Sequence, residues 1–120
     1  MKLDYFKMKE FTCPCGCKQN DMKKEFLEMI DLARYYSQIP YKLNSGFRCQ
    51  DHNDSLNQSK KTSSHIKGYA ADIHCVDSKS RALILGGLME AGFTRIGIAK
   101  TFLHADCDPD KPMGVVWVYS

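Results

Sequence analysis

The sequence lacks long apolar segments, which limits the kinds of protein it can be. No apolar run approaches the roughly 18 residues that a membrane-spanning helix needs. The first ten residues, MKLDYFKMKE, contain no apolar stretch of the kind found in a secretory signal. We therefore expect neither a membrane span nor a signal peptide.

The sequence also lacks an excess of charge of one sign. Its 17 basic and 14 acidic residues are interleaved and give a net charge of +3, whereas a nucleic-acid-binding domain clusters its basic residues on one face. Lys60, Lys61 and Lys67 form the only local basic cluster. The hydrophobic fraction of 43% and charged fraction of 26% are close to those of an average globular domain. We predict a single domain over residues 1–120, a monomer without a nucleic-acid partner.

Six cysteines are present, and three of them lie in the run Cys13-Pro14-Cys15-Gly16-Cys17. Without a secretory signal, free thiols or a metal site are favoured over three disulfides. The spacing Cys-x-Cys-x-Cys differs from the Cys-x-x-Cys that is usual in zinc sites. We therefore predict a structural role in packing, a tight turn or an occasional bridge, and a second metal site remains an alternative.

Apolar periodicity predicts two main helices. The first follows Asp21 as N-cap and ends before Pro40. The second covers residues 79–91, is capped by Asp77 or Ser78 and ends at Gly92. Its predicted inward residues are Ala82, Leu83, Leu85, Leu88 and Met89.

Strand patterns surround these helices. We predict strands over 41–45, 69–76, 94–99, 102–107 and 114–119, a short polar helix within 49–58 and a loop over 59–64. Strands that follow one another without regular β-α-β alternation indicate an α+β fold. The prediction is one compact domain with an antiparallel sheet flanked by helices.

Polar residues that can bind a metal lie within two apolar strands. Asp72 follows His65 by seven positions, and a carboxylate in an apolar strand is costly unless a cation compensates its charge. His104 lies in the second strand. Residues two apart share a face of a strand. The side chains of His104 and Asp106 therefore point to one face, and so do those of Asp72 and His74. Two neighbouring strands would bring these side chains to one patch.

A set of His65, Asp72 and His104 leaves zinc an open coordination position, as in catalytic sites. The alternative is a buried network of histidines and aspartates without a metal. Arg48 follows the strand-ending run Ser45-Gly46-Phe47 and can reach over such a site to a carboxylate or an oxyanion. The alternative for Arg48 is a surface salt bridge.

Several motifs in order resemble peptidase family M15, the zinc D-Ala-D-Ala carboxypeptidases and endopeptidases, in particular its short phage-endolysin-like branch. The resemblance covers residues 11–117. Its motifs are Cys15-Gly16-Cys17, Ser45-Gly46-Phe47-Arg48 followed by His52-Asn53, Ser63 to Asp72 in the pattern Ser-x-His-x6-Asp, Gly92-Phe93 and His104-Ala105-Asp106.

This resemblance implies a set of roles and a fold. His65, Asp72 and His104 would hold one zinc ion. Arg48 would anchor or polarise the substrate, and Ser63 would contact the substrate or orient a ligand. The implied fold is the hedgehog/DD-peptidase type. The implied substrates are peptidoglycan stem peptides, cut at a bond between D-amino acids or at an L-Ala-D-Glu bond.

The sequence departs from this family at the general base. Several members carry an acid three residues before the last ligand, where this chain has Thr101, and the adjacent Lys100 would be a poor base. We predict Asp106 as the base because strand parity places it beside His104. His74 is an alternative base, and Asp106 could instead orient a metal ligand or Arg48.

The predicted function is therefore zinc-dependent hydrolysis of stem or cross-link peptides in the bacterial cell wall. The alternatives are a non-catalytic zinc-containing binding module of the same fold, a small interaction protein with purely structural histidines, and a D,D-dipeptidase. A chain without a secretory signal fits synthesis in the cytoplasm and action at the wall after release, as for a phage lysin, or a virion-associated enzyme.

Overall fold

A mixed sheet runs through the computed structural model, which describes residues 2–56 and 63–119. Within those residues the sheet has five strands: β1 (Leu43–Ser45), β2 (Ala70–His74), β3 (Arg95–Ile98), β4 (Phe102–Asp106) and β5 (Val115–Val118). Their order across the sheet is β1-β2-β4-β3-β5. All neighbours are antiparallel except β3 and β5, which are parallel. The α+β class is confirmed, and one edge pair departs from the antiparallel pattern.

The described helices are α1 (Lys24–Ser37), α2 (Gln50–Ser55) and α3 (Ser78–Glu90), preceded by a 3₁₀ turn at Met8–Phe11. Asp77 caps α3 as predicted, since its side chain accepts the Ser80 N–H at 2.8 Å, and Gly92 ends α3 with a φ of +102°. The N-cap prediction for α1 is wrong, because Lys23 occupies that position. The main chain at Asp21 packs against Gly68 instead.

Helices α1 and α3 pack against each other through a glycine. A Cβ at Gly87 would lie 2.5 Å from the Ala33 carbonyl oxygen and would also meet the Ser37 hydroxyl, so only glycine permits this approach. Gly87 fixes which face of α3 turns inward. The buried residues of α3 are Ile84, Gly87 and Leu88, so the predicted inward set Ala82, Leu83, Leu85, Leu88 and Met89 holds fully only at Leu88.

The two faces of the sheet differ in character. Alternate strand residues, among them Ile73, Ile96 and Leu103, belong to the apolar core with residues of α1 and α3. The residues between them point to the opposite face, because side chains alternate along a strand. One row across that face consists of Ser45, Asp72, His104, Gly97 and Trp117 in register.

A turn at residues 64–68 leads into β2. Gly68 has a φ of +80° and its carbonyl accepts the Lys23 N–H at 2.9 Å, which joins the turn to the start of α1. Most of the predicted loop 59–64, with Lys60 and Lys61, lies outside the described residues. No helix in the described ranges combines the length and apolarity that crossing a membrane requires.

Candidate metal centre

Three side chains from separate segments converge on the polar face of the sheet. Oδ1 of Asp72 lies 2.9 Å from Nδ1 of His104 and 3.4 Å from Nε2 of His65. One donor atom from each of the three residues lies within 4.8 Å of the other two, as the donors of one metal ion would. Asp72 and His104 are direct partners across β2 and β4. The predicted convergence of these residues is what the structure shows.

His65 is held by its loop with one ring nitrogen facing the site. Its Nδ1 donates to the Gly46 carbonyl oxygen at 2.8 Å, which leaves Nε2 free to face Asp72. The Ser63 hydroxyl oxygen accepts the His65 N–H at 3.2 Å, and the His65 carbonyl accepts the Arg48 N–H at 3.2 Å. Ser63 therefore orients the loop that carries His65.

His104 is fixed by a carboxylate behind it. Its Nε2 lies 2.7 Å from Oδ2 of Asp106, while its Nδ1 faces Asp72. A carboxylate on the far nitrogen of a histidine ligand sets the ring orientation and raises its basicity. The arrangement resembles the outer hydrogen-bonding shell of a zinc site, with Asp106 supporting the ligand.

The base role predicted for Asp106 does not fit this geometry. Oδ1 of Asp106 accepts from Arg95 Nε at 2.7 Å and from the Asp108 N–H at 3.2 Å, so both carboxylate oxygens are occupied. The residue is only 1% exposed and lies on the Nε2 side of His104, away from the converging atoms. The alternative, a carboxylate that orients a ligand, is the one the contacts favour.

The electrostatics keep the carboxylates ionised. Burial raises the pKa of Asp72, but hydrogen bonds and charge interactions with His104 and His65 outweigh burial and hold that pKa well below its usual range. Burial lowers the pKa of His104, but Asp106 and Asp72 outweigh burial and raise it. Both carboxylates therefore favour a positive charge at His104.

Arg48 lies against the converging residues. Its Nη2 is 3.6 Å from Oδ2 of Asp72, and its Nε donates to the Ser45 hydroxyl at 3.1 Å. Nη1 donates to Oδ1 of the buried Asn53 at 3.3 Å. These contacts aim a cationic group at the site from the end of β1, and burial lowers the Arg48 pKa although Asp72 opposes that shift.

The residues present fit a zinc ion. Two imidazole nitrogens and one carboxylate oxygen are common zinc donors, and three protein ligands leave a position open. The second nitrogen of each ring already has a partner, Gly46 for His65 and Asp106 for His104.

A model of the peptidase M15 family matches residues 4–108, which include all of these side chains. The chain belongs to the peptidase M15 family. No curated protein matches the sequence. Membership makes the chain a peptidase by family.

The three converging residues line a cleft of about 460 Å³. Besides Arg48, Ser63 and the three converging residues, its wall includes Trp117 and Tyr119 of the β5 segment. The Trp117 ring centroid is 5.5 Å from that of His104, and the guanidinium of Arg95 lies 5.1 Å from the indole centroid. The sequence analysis missed Arg95, Trp117 and Tyr119; the only signal was the two-residue spacing of the last two.

The alternative base His74 and the residue Thr101 lie away from the cleft wall. His74, at the end of β2, is exposed and lines a separate small cavity with Pro40 and Lys42. Thr101 is exposed in the turn between β3 and β4. Neither residue contributes to the wall of the cleft.

Proposed function

We propose that this chain is a zinc-dependent peptidase that hydrolyses stem or cross-link peptides of bacterial peptidoglycan. One observation carries the proposal: donor atoms of His65, Asp72 and His104 converge at the wall of an open cleft. Membership of the M15 family supports peptide substrates. The peptidoglycan class rests on the resemblance to wall-degrading members.

In this proposal His65, Asp72 and His104 hold the zinc ion. When bound, zinc supplies a Lewis acid that lowers the pKa of a coordinated water to about 7. Arg48, fixed by Ser45 and Asn53, presents its guanidinium to the carbonyl oxygen of the scissile bond and stabilises the charge that develops there. Ser63 keeps the His65 loop in place.

Asp106 acts as a positioning residue. It holds the His104 ring so that Nδ1 faces the site, and Arg95 holds Asp106 in turn. The chain from Arg95 through Asp106 to His104 prearranges the metal ligand before substrate binds.

A non-catalytic zinc-containing binding module is the second candidate. It is favoured by the absence of an unengaged carboxylate among the described residues that line the cleft. The carboxylates there are those of Asp72 and Asp106, and both already contact basic side chains. Such a module would hold zinc and bind wall peptides without cleaving them.

Mass spectrometry of purified peptidoglycan fragments separates the two candidates. The zinc-loaded protein is incubated with the fragments, with and without a chelator, and the masses of the products are measured. A peptidase releases new peptide termini only when zinc is present, and their masses identify the bond. Fragments that stay intact while co-purifying with the zinc-loaded protein would establish the binding module instead.

A further inference from the structure

Four cysteines form a second group of metal-binding side chains, separate from the cleft. This four-cysteine cluster consists of Cys13, Cys15, Cys17 and Cys49, whose Sγ atoms all lie within 4.8 Å of one another. The Sγ of Cys13 is 3.5 Å from that of Cys15 and 3.7 Å from that of Cys49, and the latter two are 3.6 Å apart. A disulfide needs sulfurs about 2.05 Å apart, so these are four free thiols.

The spacing of the sulfurs fits one tetrahedral ion. Zinc–thiolate bonds of about 2.3 Å place neighbouring sulfurs of a tetrahedron about 3.8 Å apart. An iron–sulfur cluster, with several metal and sulfide ions between the thiolates, needs wider separations than these. We propose that the four-cysteine cluster binds a single zinc ion in a closed structural site, with no position left for substrate.

Main-chain donors already point at the sulfurs. The Sγ of Cys13 accepts the Cys49 N–H at 3.4 Å, and the Sγ of Cys49 accepts the His52 N–H at 3.4 Å. The Sγ of Cys17 accepts the Gln19 N–H at 3.5 Å. Hydrogen bonds of this kind stabilise thiolates, the ligand form of cysteine.

The loop that supplies three of the thiols has little else to hold it. Residues 14–18 are exposed, and a Cβ at Gly16 would touch nothing within 4 Å. Gly16 and Lys18 have left-handed φ values of +95° and +63°, which a lysine rarely adopts. Within the part of the chain that the structure describes, the Cys13 N–H to Gln19 carbonyl bond of 3.0 Å closes the loop through its backbone. An ion shared by the thiols would supply the missing constraint.

The cluster would also support the peptidase site. Cys49 directly follows Arg48, and Phe47 donates its N–H to the Phe11 carbonyl oxygen at 2.8 Å. The Gly46 carbonyl in the same segment holds His65. A metal that joins Cys49 to residues 13–17 thus fastens the segment carrying both Arg48 and the support of His65. The proposal itself does not depend on the proposed peptidase function.

The test is made on the intact wild-type chain with cobalt in place of zinc. Thiolate ligation gives strong sulfur-to-cobalt charge-transfer absorption in the near ultraviolet, which a site of two histidines and one aspartate does not give. We expect the cobalt-loaded protein to show this absorption. We expect the zinc-loaded protein to bind one zinc ion in addition to that of the cleft site. We also expect all six cysteines to be alkylated after denaturation without reductant. Absence of the absorption, a disulfide within the cluster, or iron in the protein as purified would overturn the proposal.

Matched cysteine variants assign the absorption. Cys17 is exposed, so Cys17→Ser removes one thiol without opening the core, and Cys107→Ser is the same change outside the cluster. We expect Cys17→Ser to lose at least half of the charge-transfer intensity and Cys107→Ser to retain it. Equal spectra for the two variants would refute the assignment. Loss of metal from the cleft site leaves this absorption intact, so failures of the two sites are distinguishable.

Discussion

At the scale of single residues, the site is built from polar side chains whose burial needs compensation. Asp72 and His104 occupy apolar strands and could be singled out from the sequence for that reason. Strand parity placed Asp106 on the face of His104, but parity cannot tell which ring nitrogen it contacts. The contact at Nε2 favours a positioning role for Asp106 over the predicted role as base.

Arg48→Ala tests the proposed oxyanion contact. We expect turnover of a muropeptide to fall by about 10²–10³-fold, the typical effect of removing one such donor. Zinc content should stay unchanged, because Arg48 is not one of the metal donors. Steady-state kinetics and metal analysis measure the two quantities.

Arg81→Ala is the matched control. Arg81 lies on the surface of α3 and donates to the Lys100 carbonyl, outside the cleft. This variant should keep wild-type turnover. An Arg48→Ala protein as active as Arg81→Ala would remove Arg48 from the mechanism.

Asp106→Asn separates positioning from base catalysis. Loss of the carboxylate behind His104 should weaken zinc binding by about 10–100-fold, with much of the activity restored at saturating zinc. Competition with a chromophoric chelator measures the affinity. If Asp106 were the general base, Asp106→Asn would leave the zinc affinity unchanged and lower kcat, and added zinc would not restore kcat. Asp110→Asn, at an exposed carboxylate, is the control.

At the scale of secondary structure elements, the sequence predicts types well and packing less well. Every predicted strand exists within two or three residues of its bounds, because apolar runs between turn residues are local signals. The inward face of α3 was misassigned because apolar residues lie all around this helix. A close approach at Gly87, which depends on α1, decides the face. The parallel pairing of β5 with β3, which brings Trp117 to His104, is likewise non-local.

Two adjacent glycines of α3 give a matched test of helix packing. A Cβ at Gly87 would collide with α1, so Gly87→Ala should lower the free energy of unfolding by about 1–3 kcal/mol. A Cβ at Gly86 would meet nothing within 4 Å, so Gly86→Ala should raise that free energy by roughly 0.5–1 kcal/mol. Urea denaturation of both variants measures the difference. Equal stabilities would mean that α1 and α3 do not pack through Gly87.

At the scale of the whole molecule, an ion network ties the His65 turn to the chain after β4. Asp108 is fully buried; its Oδ2 accepts from the Ser64 hydroxyl at 2.8 Å and lies 3.2 Å from Lys67 Nζ. Burial raises the pKa of Asp108, but hydrogen bonds from Asp110, Ser64 and Lys67 outweigh burial and lower it. Asp106, Asp108 and Asp110 are closely spaced acidic residues in the sequence, which could not show that each carboxylate has a basic or hydroxyl partner.

Asp108→Asn should therefore change the acid stability of the whole molecule. A carboxyl whose folded pKa lies below its unfolded value of about 3.9 stabilises the fold above that value, and this contribution disappears as pH falls through the folded pKa. We expect the free energy of unfolding of Asp108→Asn to be about 2 kcal/mol lower than that of the wild type at pH 7. The difference in unfolding free energy between variant and wild type should become smaller below about pH 4.

Urea denaturation at pH 7 and at low pH measures this difference. Asp110 is exposed, so Asp110→Asn is the matched control. We expect it to lower the free energy of unfolding by less than about 1 kcal/mol. A difference in unfolding free energy for Asp108→Asn that is independent of pH would show that the negative charge of Asp108 does not stabilise the fold.

The lack of a side chain at Gly97 leaves space for the indole of Trp117, since a Cβ there would lie 2.6 Å from Nε1. This indole is the sole tryptophan of the sequence and lies next to His104. Trp117 is therefore an intrinsic fluorescent probe of the surroundings of His104. Its fluorescence emission should shift when a metal ion binds beside His104, so metal occupancy can be followed by titration without any label.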